Sequence, residues 1–232
     1  MLELFPEGFE ERETHEGLEL AAYTDGGGEE RLWAAFGAVS ANDVPGGWEQ
    51  RWRDFHRALR LGPLWIGPPW EEPSPGATAV VIDPGRAFGT GGHATTRLSL
   101  ELLLEVPPTS LLDVGCGSGV ISIAAAQLGF APVIALDHDS AAIEATQRNA
   151  AVNSVALEVV RADAFAAPLP PAEVTVANVS APFAKRLEAA PETRYLITSG
   201  YLESEEIAPR GFRRELRRTA DGWAADAFRR DE

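Results

Sequence analysis

The chain has 232 residues, 45% of them hydrophobic, and a formal net charge of −15 at pH 7. These values exclude a disordered chain and provide enough apolar side chains for the core of one large domain beside a small one. No run of about eighteen apolar residues occurs, so we expect no transmembrane helix. The acidic beginning lacks the basic segment of a secretory signal, and the single cysteine, Cys116, has no disulfide partner within the chain. We therefore expect a cytoplasmic protein.

The negative charge is concentrated at the beginning of the chain. Residues 1–50 contain twelve acidic residues and two arginines, a net charge of −10. Such a segment repels nucleic acid, so we expect no direct nucleic-acid binding, and it attracts basic partners. An ordinary acidic surface would have the same composition, so both interpretations stay open.

The pattern of apolar residues and glycines in residues 1–45 predicts a small α+β module. Its predicted elements are a strand at Leu18–Tyr23, a helix at Glu29–Phe36 that ends at a glycine, and a strand at Ala38–Val44. A module of this length buries little surface and needs support from the rest of the chain.

Residues 46–76 form a connector rich in tryptophan and proline. Trp48, Trp52 and Phe55 follow a helical spacing, whereas Leu59–Trp70 is interrupted by glycine and proline and is predicted to be extended. The aromatic residues are interpreted as packing between modules.

The domain that begins at residue 77 opens with a strand at Ala77–Ile82. The segment Asp83–Thr96 follows, with four glycines between positions 85 and 92 that permit close backbone approach, and with Phe88 offering a flat face. A helix is predicted over Thr95–Val106, with Thr95 as its N-cap, and Pro107 with Pro108 ends it.

Strands and helices then alternate, which predicts a doubly wound parallel sheet within residues 77–232. After a turn or two of helix at 203–207, the Asp221-Gly222 turn predicts an antiparallel hairpin. The predicted strands number seven and the helices three: strands 110–114, 132–136, 157–161, 173–176, 194–198, 213–219 and 223–229, and helices 118–128, 140–152 and 182–190.

An apolar run that is predicted to be a strand leads to the acidic residue Asp113. Glycines then follow at every second position, at Gly115, Gly117 and Gly119. These glycines let the backbone turn sharply and admit a ligand, and the following helix start offers unpaired N–H groups. Eighteen residues past Gly119, a second strand ends at Asp137, which can accept hydrogen bonds from both hydroxyls of a ribose. The pattern predicts a site for an adenosine-type ligand.

The spacing of the glycines distinguishes between ligands. A dinucleotide site has the pattern G-x-G-x-x-G, whereas here the third glycine comes one residue early. Asp113 would repel a pyrophosphate but can pair with an amino group. The pattern D-x-G-x-G-x-G with a strand-ending aspartate resembles the class I S-adenosylmethionine-dependent methyltransferases. A nicotinamide oxidoreductase and a glycine-rich turn in another α/β protein are the alternatives.

The segment before the core narrows the resemblance. Asp83-Pro84-Gly85, the Phe88-Gly89-Thr90-Gly91 loop, and His93 with Thr95 and Thr96 resemble the methyltransferases that modify large-subunit ribosomal protein eleven. The resemblance runs from about Trp48 to Gly200. It implies a seven-stranded class I methyltransferase fold, S-adenosylmethionine as cofactor, and methylation of lysine ε-amino groups and the N-terminal α-amino group of one basic ribosomal protein.

The resemblance also implies roles for individual residues. It assigns cofactor contact to Thr96, Gly115, Asp137 and Asn178, and it places Asp163, after the third strand, opposite the adenine amino group. From the residues themselves we add Phe88, Asp113 and Gly117 to the cofactor site. Asn178, at the carboxyl end of the fourth strand, is the predicted catalytic residue, because its side-chain oxygen can accept a hydrogen bond from the substrate amine. No metal site is predicted, and His138 and Cys116 are expected to have no role in catalysis.

Three departures from the family pattern leave the substrate open. Ala94 stands where the family often has proline, and the N-terminal module is shorter than the family's. After Asn178, the Val179–Phe183 segment departs from the N-P-P-[FY] motif of adenine and glutamine methyltransferases. Another protein, a small molecule or a nucleic acid stays an alternative substrate, and a non-catalytic cofactor-binding adaptor is a third class. We expect a monomer.

Overall fold

The structure is a computed structural model that describes residues 10–14, 17–21, 32–33, 35–36, 39, 57–83 and 92–231. The chain divides into two compact units, Met1–Trp52 and Arg53–Glu232.

The first unit contains an antiparallel pair of strands, β1 (Glu10–Thr14) and β2 (Gly17–Ala21). The strand predicted at residues 18–23 corresponds to β2. β1 was not predicted, because Glu-Glu-Arg-Glu-Thr has no apolar residue and therefore no alternating pattern. Of the helix predicted at 29–36, residues 32, 33, 35 and 36 are described and are helical. The strand predicted at 38–44 is described only at residue 39.

The second unit begins with a three-stranded sheet of β3 (Leu59–Leu61), β4 (Leu64–Gly67) and β5 (Thr78–Val81). β3 and β4 form a hairpin, and β5 pairs with β4 in parallel. The extended conformation predicted for this part of the connector is confirmed, and the predicted domain boundary at 76/77 lies inside this sheet. The proposed helical face of Trp48, Trp52 and Phe55 lies outside the described residues.

The main sheet has seven strands: β6 Leu111–Val114, β7 Val133–Asp137, β8 Glu158–Arg161, β9 Val174–Asn178, β10 Tyr195–Leu202, β11 Phe212–Ala220 and β12 Trp223–Arg230. Their order in the sheet is β11-β12-β10-β9-β6-β7-β8. The five strands from β10 to β8 are parallel to one another, and β12 and β11 add antiparallel at one edge. This arrangement confirms the predicted class I methyltransferase sheet with its C-terminal hairpin.

Four helices lie in this second unit among the described residues: α1 (Ala94–Leu103), α2 (Val120–Gln127), α3 (Ser140–Val152) and α4 (Ala181–Arg186). The Asp139 side chain caps α3 by accepting from the N–H of Ala141, so α3 has its predicted bounds.

The N-cap of α1 differs from the prediction. It is His93, whose Nδ1 accepts from the backbone N–H of Thr95 at 3.3 Å. Thr95 was wrongly predicted as the cap because threonine is a frequent capping residue, but it already lies inside the first turn.

The predicted helix at 203–207 is also wrong. β10 continues to Leu202, and the chain then runs in turns and irregular structure to β11. Nη2 of Arg217 donates to the carbonyl oxygens of Glu203 and Glu205, which ties this segment to the hairpin instead. The hairpin turn itself is as predicted, since Asp221 and Gly222 both have positive φ, 53° and 78°.

The core lies on both faces of the main sheet. Neighbouring strand residues alternate between two apolar clusters, so Leu111, Val176 and Ile197 belong to one and Leu112, Ala177 and Leu196 to the other. Apolar residues therefore cover both faces of the sheet. The polar residues Asp137 and Asn178 end β7 and β9 and lie at the carboxyl edge of the sheet. Within the described part of the chain, no helix is both long and apolar enough to cross a membrane.

Candidate active site

The order of the strands creates a crevice at one edge of the main sheet. From β6 the chain continues to β7 and β8 on one side, and it then returns to β9 and β10 on the other side. Loops that leave β6 and β9 therefore diverge, which is where doubly wound sheets bind ligands. Asp113 on β6 pairs in register with Val176 on β9, and Asn178 lies two residues further along.

The glycine loop, residues 115–119, lies at this crevice. Gly115, Gly117 and Gly119 have φ values of 76°, 56° and 82°, a region that L side chains rarely adopt. A Cβ atom on Gly115 would stand 2.9 Å from Cγ1 of Val179, and one on Gly119 would stand 2.9 Å from the side chain of Thr146. All three glycines are therefore favoured by their backbone conformation, and Gly115 and Gly119 also by close packing.

Asp137 ends β7 directly beside the glycine loop. Its Oδ2 accepts from the N–H of Gly117 at 3.1 Å, and its Oδ1 accepts from the N–H of Asp139 at 3.0 Å. Each carboxylate oxygen has capacity for a further hydrogen bond, so the group suits two vicinal hydroxyls. The neighbouring His138 is largely exposed, with Nδ1 3.4 Å from Oδ1 of Asp137, which fits a solvated residue outside the chemistry.

Asp113 is buried at the foot of the glycine loop. Its Oδ2 accepts from the backbone N–H and the hydroxyl of Ser122, at 3.2 and 2.6 Å. No described residue donates to its Oδ1, although that atom is fully buried. Burial raises the pKa of Asp113 to about 6, against the opposing effect of the Ser122 hydrogen bonds. A buried carboxylate oxygen with no protein donor suits a cationic ligand group, as the sequence predicted for an ammonium.

Cys116 lies inside the glycine loop but is packed away from solvent. Its Sγ is 3.3 Å from Oγ1 of Thr146. Burial, together with the charge of Asp113, raises the pKa of the thiol to about 12, so the thiol stays protonated at neutral pH. This environment is that of a packed residue and not of a nucleophile.

Asn178 and Thr96 meet at the end of β9. The Nδ2 of Asn178 donates to Oγ1 of Thr96 at 3.2 Å, although 82 positions separate them. Thr96 is buried in the first turn of α1, so the helix start is joined to the strand end. No described residue donates to Oδ1 of Asn178, which leaves that oxygen as an acceptor for a substrate N–H.

Asp163 follows β8 at the same edge. The N–H of Ala162 donates to the carbonyl of Asp137 at 2.9 Å, which places the two strand ends side by side. Oδ1 of Asp163 accepts from the N–H of Phe165 at 2.9 Å and caps a turn. The second carboxylate oxygen is suited to accept from an exocyclic amino group. Phe88 lies outside the described residues.

Several supporting residues were not predicted from the sequence. Ser122 holds Asp113, while Thr146 and Asn149 on α3 bind carbonyl groups of the glycine loop. The sequence signal that could have identified Thr146 and Asn149 was their position on the same face of α3 as the buried alanines of that helix. Among the described residues, no group of three or more His, Cys, Asp or Glu side chains is arranged to hold a metal ion.

Relatives of the chain share one description. A ribosomal protein L11 methyltransferase of Legionella pneumophila (strain Lens) is 40% identical over 167 residues, which is 68% of this chain and 58% of that relative. One from Yersinia pseudotuberculosis serotype O:1b is 44% identical over 159 residues, covering 66% and 53%. The chain thus spans less than two thirds of the length of these curated relatives.

A solved structure and a family model agree with these relatives. The crystal structure of a ribosomal protein L11 methylase from Lactobacillus delbrueckii subsp. bulgaricus superposes with a TM-score of 0.68 at 27% identity, covering 76% of this chain and 100% of that one. The family model for ribosomal protein L11 methyltransferase (PrmA) matches residues 19–229. The chain therefore belongs to the ribosomal protein L11 methyltransferase family.

Proposed function

We propose that this protein is an S-adenosylmethionine-dependent methyltransferase that methylates lysine ε-amino groups, the N-terminal α-amino group, or both, of ribosomal protein L11. The observation that carries the proposal is the Asn178 amide, oriented by Thr96 at the strand-order switch point. Family membership supports the choice of substrate.

The cofactor site that we propose uses the residues at the edge of the main sheet. Asp137 accepts from the ribose hydroxyls, Asp163 faces the adenine amino group, and Oδ1 of Asp113 pairs with the cofactor ammonium. The backbone of Gly115 and Gly117 lines the site. When bound, S-adenosylmethionine supplies a methyl group on a sulfonium. Phe88 and Thr96 complete the proposed contacts.

The chemical step requires a neutral amine with an aligned lone pair. A lysine amine has a pKa of about 10.4 in water, so only a small fraction is neutral at pH 7. Burial beside a cation favours the neutral form. We propose that Oδ1 of Asn178 accepts from the amine N–H and thereby aims the lone pair, because Nδ2 is already engaged by Thr96. Positioning of this kind can supply roughly 7–11 kcal/mol.

Recognition of the protein substrate is assigned to the acidic beginning of the chain. Residues 1–50 carry a net charge of −10, which suits a basic ribosomal protein. We propose residues 1–45 as a recognition module, 46–76 as its connector and 77–232 as the methyltransferase domain, with the end of the connector adding β3 and β4 to the small sheet of that domain. We further propose a monomer that acts in the cytoplasm. Because this attraction is electrostatic, affinity for the protein substrate should fall as salt rises.

A transfer assay with isotopically labelled cofactor tests the proposal. Purified L11 and a panel of small metabolites and RNA are incubated separately with the enzyme, and peptide mass spectrometry locates the methyl groups. We expect label on amino groups of L11. Labelling of RNA or a metabolite, with L11 unlabelled, would favour the alternative substrates. Cofactor binding without transfer to any fraction of a cell lysate would favour the adaptor.

A further inference from the structure

One face of α3, together with the C-cap residue of this helix, carries three polar side chains in a row. Thr146, Asn149 and Asn153 stand at positions i, i+3 and i+7, and the first two are almost fully buried. Buried polar groups are normally retained only where they bind specific partners. The partners of these three side chains lie in two places, the glycine loop and the end of β5.

Asn149 binds both places with one amide group. Its Nδ2 donates to the carbonyl oxygen of Ser118 at 2.8 Å, and its Oδ1 accepts from the N–H of Asp83 at 3.1 Å. Ser118 belongs to the glycine loop, and Asp83 lies two residues past β5. Thr146 binds the loop only, since its Oγ1 donates to the carbonyl of Gly117 at 3.0 Å.

Asn153 binds the strand and not the loop. Its Oδ1 accepts from the N–H of Val81 at 2.8 Å, and its Nδ2 donates to the carbonyl of Val81 at 2.6 Å and to that of Asn149 at 2.8 Å. These two hydrogen bonds to the backbone of Val81 set the register of β5 against α3. Asn153 is therefore a natural comparison for Asn149, with the same chemistry one turn further along, at the C-cap of α3.

We infer that Asn149 is a positioning residue for the cofactor site, acting through the peptide groups of the glycine loop. The inference rests on the proposed function. Gly117 donates to Asp137, and the next two carbonyls along the loop, those of Gly117 and Ser118, are held by Thr146 and Asn149. With Ser118 fixed, the Gly117 N–H keeps Asp137 in the orientation that the ribose requires.

Asn149→Asp removes the donor to Ser118 while keeping an acceptor for Asp83. A carboxylate would stand against the Ser118 carbonyl, so we expect the Kd for S-adenosylmethionine to rise about tenfold or more. Protonation of the new carboxyl restores a donor. The ratio of variant to wild-type Kd should therefore fall toward one as pH is lowered, and the Asn153→Asp control below separates this recovery from the relief of general destabilisation. Titration calorimetry across pH measures both.

Asn153→Asp is the matched control, since it also places a carboxylate against backbone carbonyls of the same region. We expect thermal stability to fall and the Kd for S-adenosylmethionine to stay within about twofold of wild type. Equal weakening by both variants, without recovery at low pH, would overturn the inference. So would an unchanged Kd in a folded Asn149→Asp protein. Asn149→Ser provides an uncharged second variant that is also expected to bind the cofactor weakly.

Amide hydrogen exchange in the protein without cofactor gives an independent readout. Asn149→Asp should keep the protection of the Asp83 N–H and increase the exchange of the Gly117 N–H, whereas Asn149→Ser should expose both. Unchanged exchange at Gly117 in both variants would contradict the inference. Failure of the wild-type protein to bind S-adenosylmethionine would instead refute the proposed function itself, and with it this inference.

Discussion

Asn178 donates from Nδ2 to Oγ1 of Thr96 at 3.2 Å, joining the end of β9 to the first turn of α1. Because Nδ2 donates to this hydroxyl, Oδ1 is left to accept a hydrogen bond from a substrate N–H. The orientation of Asn178 that we propose for catalysis is thus stabilised by a residue on a different element. Predictions for both residues follow from this geometry.

Replacement of Asn178 should slow the chemical step. Asn178→Ala removes the acceptor of a hydrogen bond that strengthens as the amine N–H becomes more acidic. The activation free energy should therefore rise by on the order of 2–4 kcal/mol, and kcat should fall accordingly. Asn178→Asp should shift the pH optimum upward, because a carboxylate holds the substrate ammonium in its protonated form. Single-turnover rates at saturating cofactor across pH measure both effects. Wild-type rates in both variants would reduce Asn178 to a strand-end residue.

Thr96 should act through Asn178. Thr96→Val keeps the shape of the side chain but removes the hydroxyl that accepts from Asn178. It should raise the activation free energy by about 1 kcal/mol, the scale of one hydrogen bond, and lower kcat accordingly. In an Asn178→Ala background the same change should have little further effect, since the partner is already gone. A double-mutant cycle of single-turnover rates gives the coupling energy. Fully additive effects would show that Thr96 acts independently.

Asp137 should control cofactor affinity. Asp137→Ala should weaken S-adenosylmethionine binding by roughly 1.5–3 kcal/mol, the scale of charge-assisted hydrogen bonds. The variant also leaves the N–H groups of Gly117 and Asp139 without their acceptor, so Asp137→Asn, which keeps one oxygen, is the control. Titration calorimetry provides the affinities. An unchanged Kd in a folded Asp137→Ala protein would remove this residue from the site.

Asp113 should make cofactor binding pH-dependent. Its pKa is raised to about 6 by burial, so below that pH the carboxyl is neutral and cannot pair with an ammonium. Affinity for S-adenosylmethionine should therefore increase as pH rises through about 6, by at most about tenfold per unit below it. In Asp113→Asn this dependence should disappear. A pH-dependent affinity that persists in the variant would assign the effect to another group.

The same raised pKa affects the stability of the protein without cofactor. Between the ordinary value of 3.8 and about 6, the folded state retains a proton that the unfolded state has lost. The contribution of Asp113 to stability is therefore greatest below pH 3.8 and declines as pH rises through about 6. The shift corresponds to roughly 3 kcal/mol. The difference in unfolding free energy between wild type and Asp113→Asn should change in this window.

Gly200 should be required for the position of the segment after Asn178. It has a φ of 95°, and a Cβ atom there would overlap the carbonyl of Val179. Gly200→Ala should therefore displace Val179 and lower kcat. Gly211→Ala is the control, because Gly211 has a φ of 76° with nothing within 4 Å of the added carbon. That control should lose about 1–2 kcal/mol of stability from strain alone and keep its kcat. Equal kcat in both variants would contradict the proposed displacement.

Local patterns predicted most of the elements of the second unit. α3 has its predicted bounds at Ser140–Val152, because apolar spacing, an Asp cap and a final Asn all agree. The failures arose where local signals were weak or were overridden by distant contacts. β1 has no apolar residue, and residues 203–207 are held by Arg217 from a neighbouring strand.

The sequence by itself determined the order of most elements of the second unit, the alternation of its strands and helices, and the identity of the residues that end its strands, because hydrophobic periodicity and glycine spacing are local properties. Only the tertiary structure decided which of those residues meet. Asn178 contacts Thr96 across 82 positions, and Asn149 reaches Asp83 across 66, because strand order and helix docking bring their elements together. No local pattern encodes such pairings, since they depend on how the whole sheet buries its two faces.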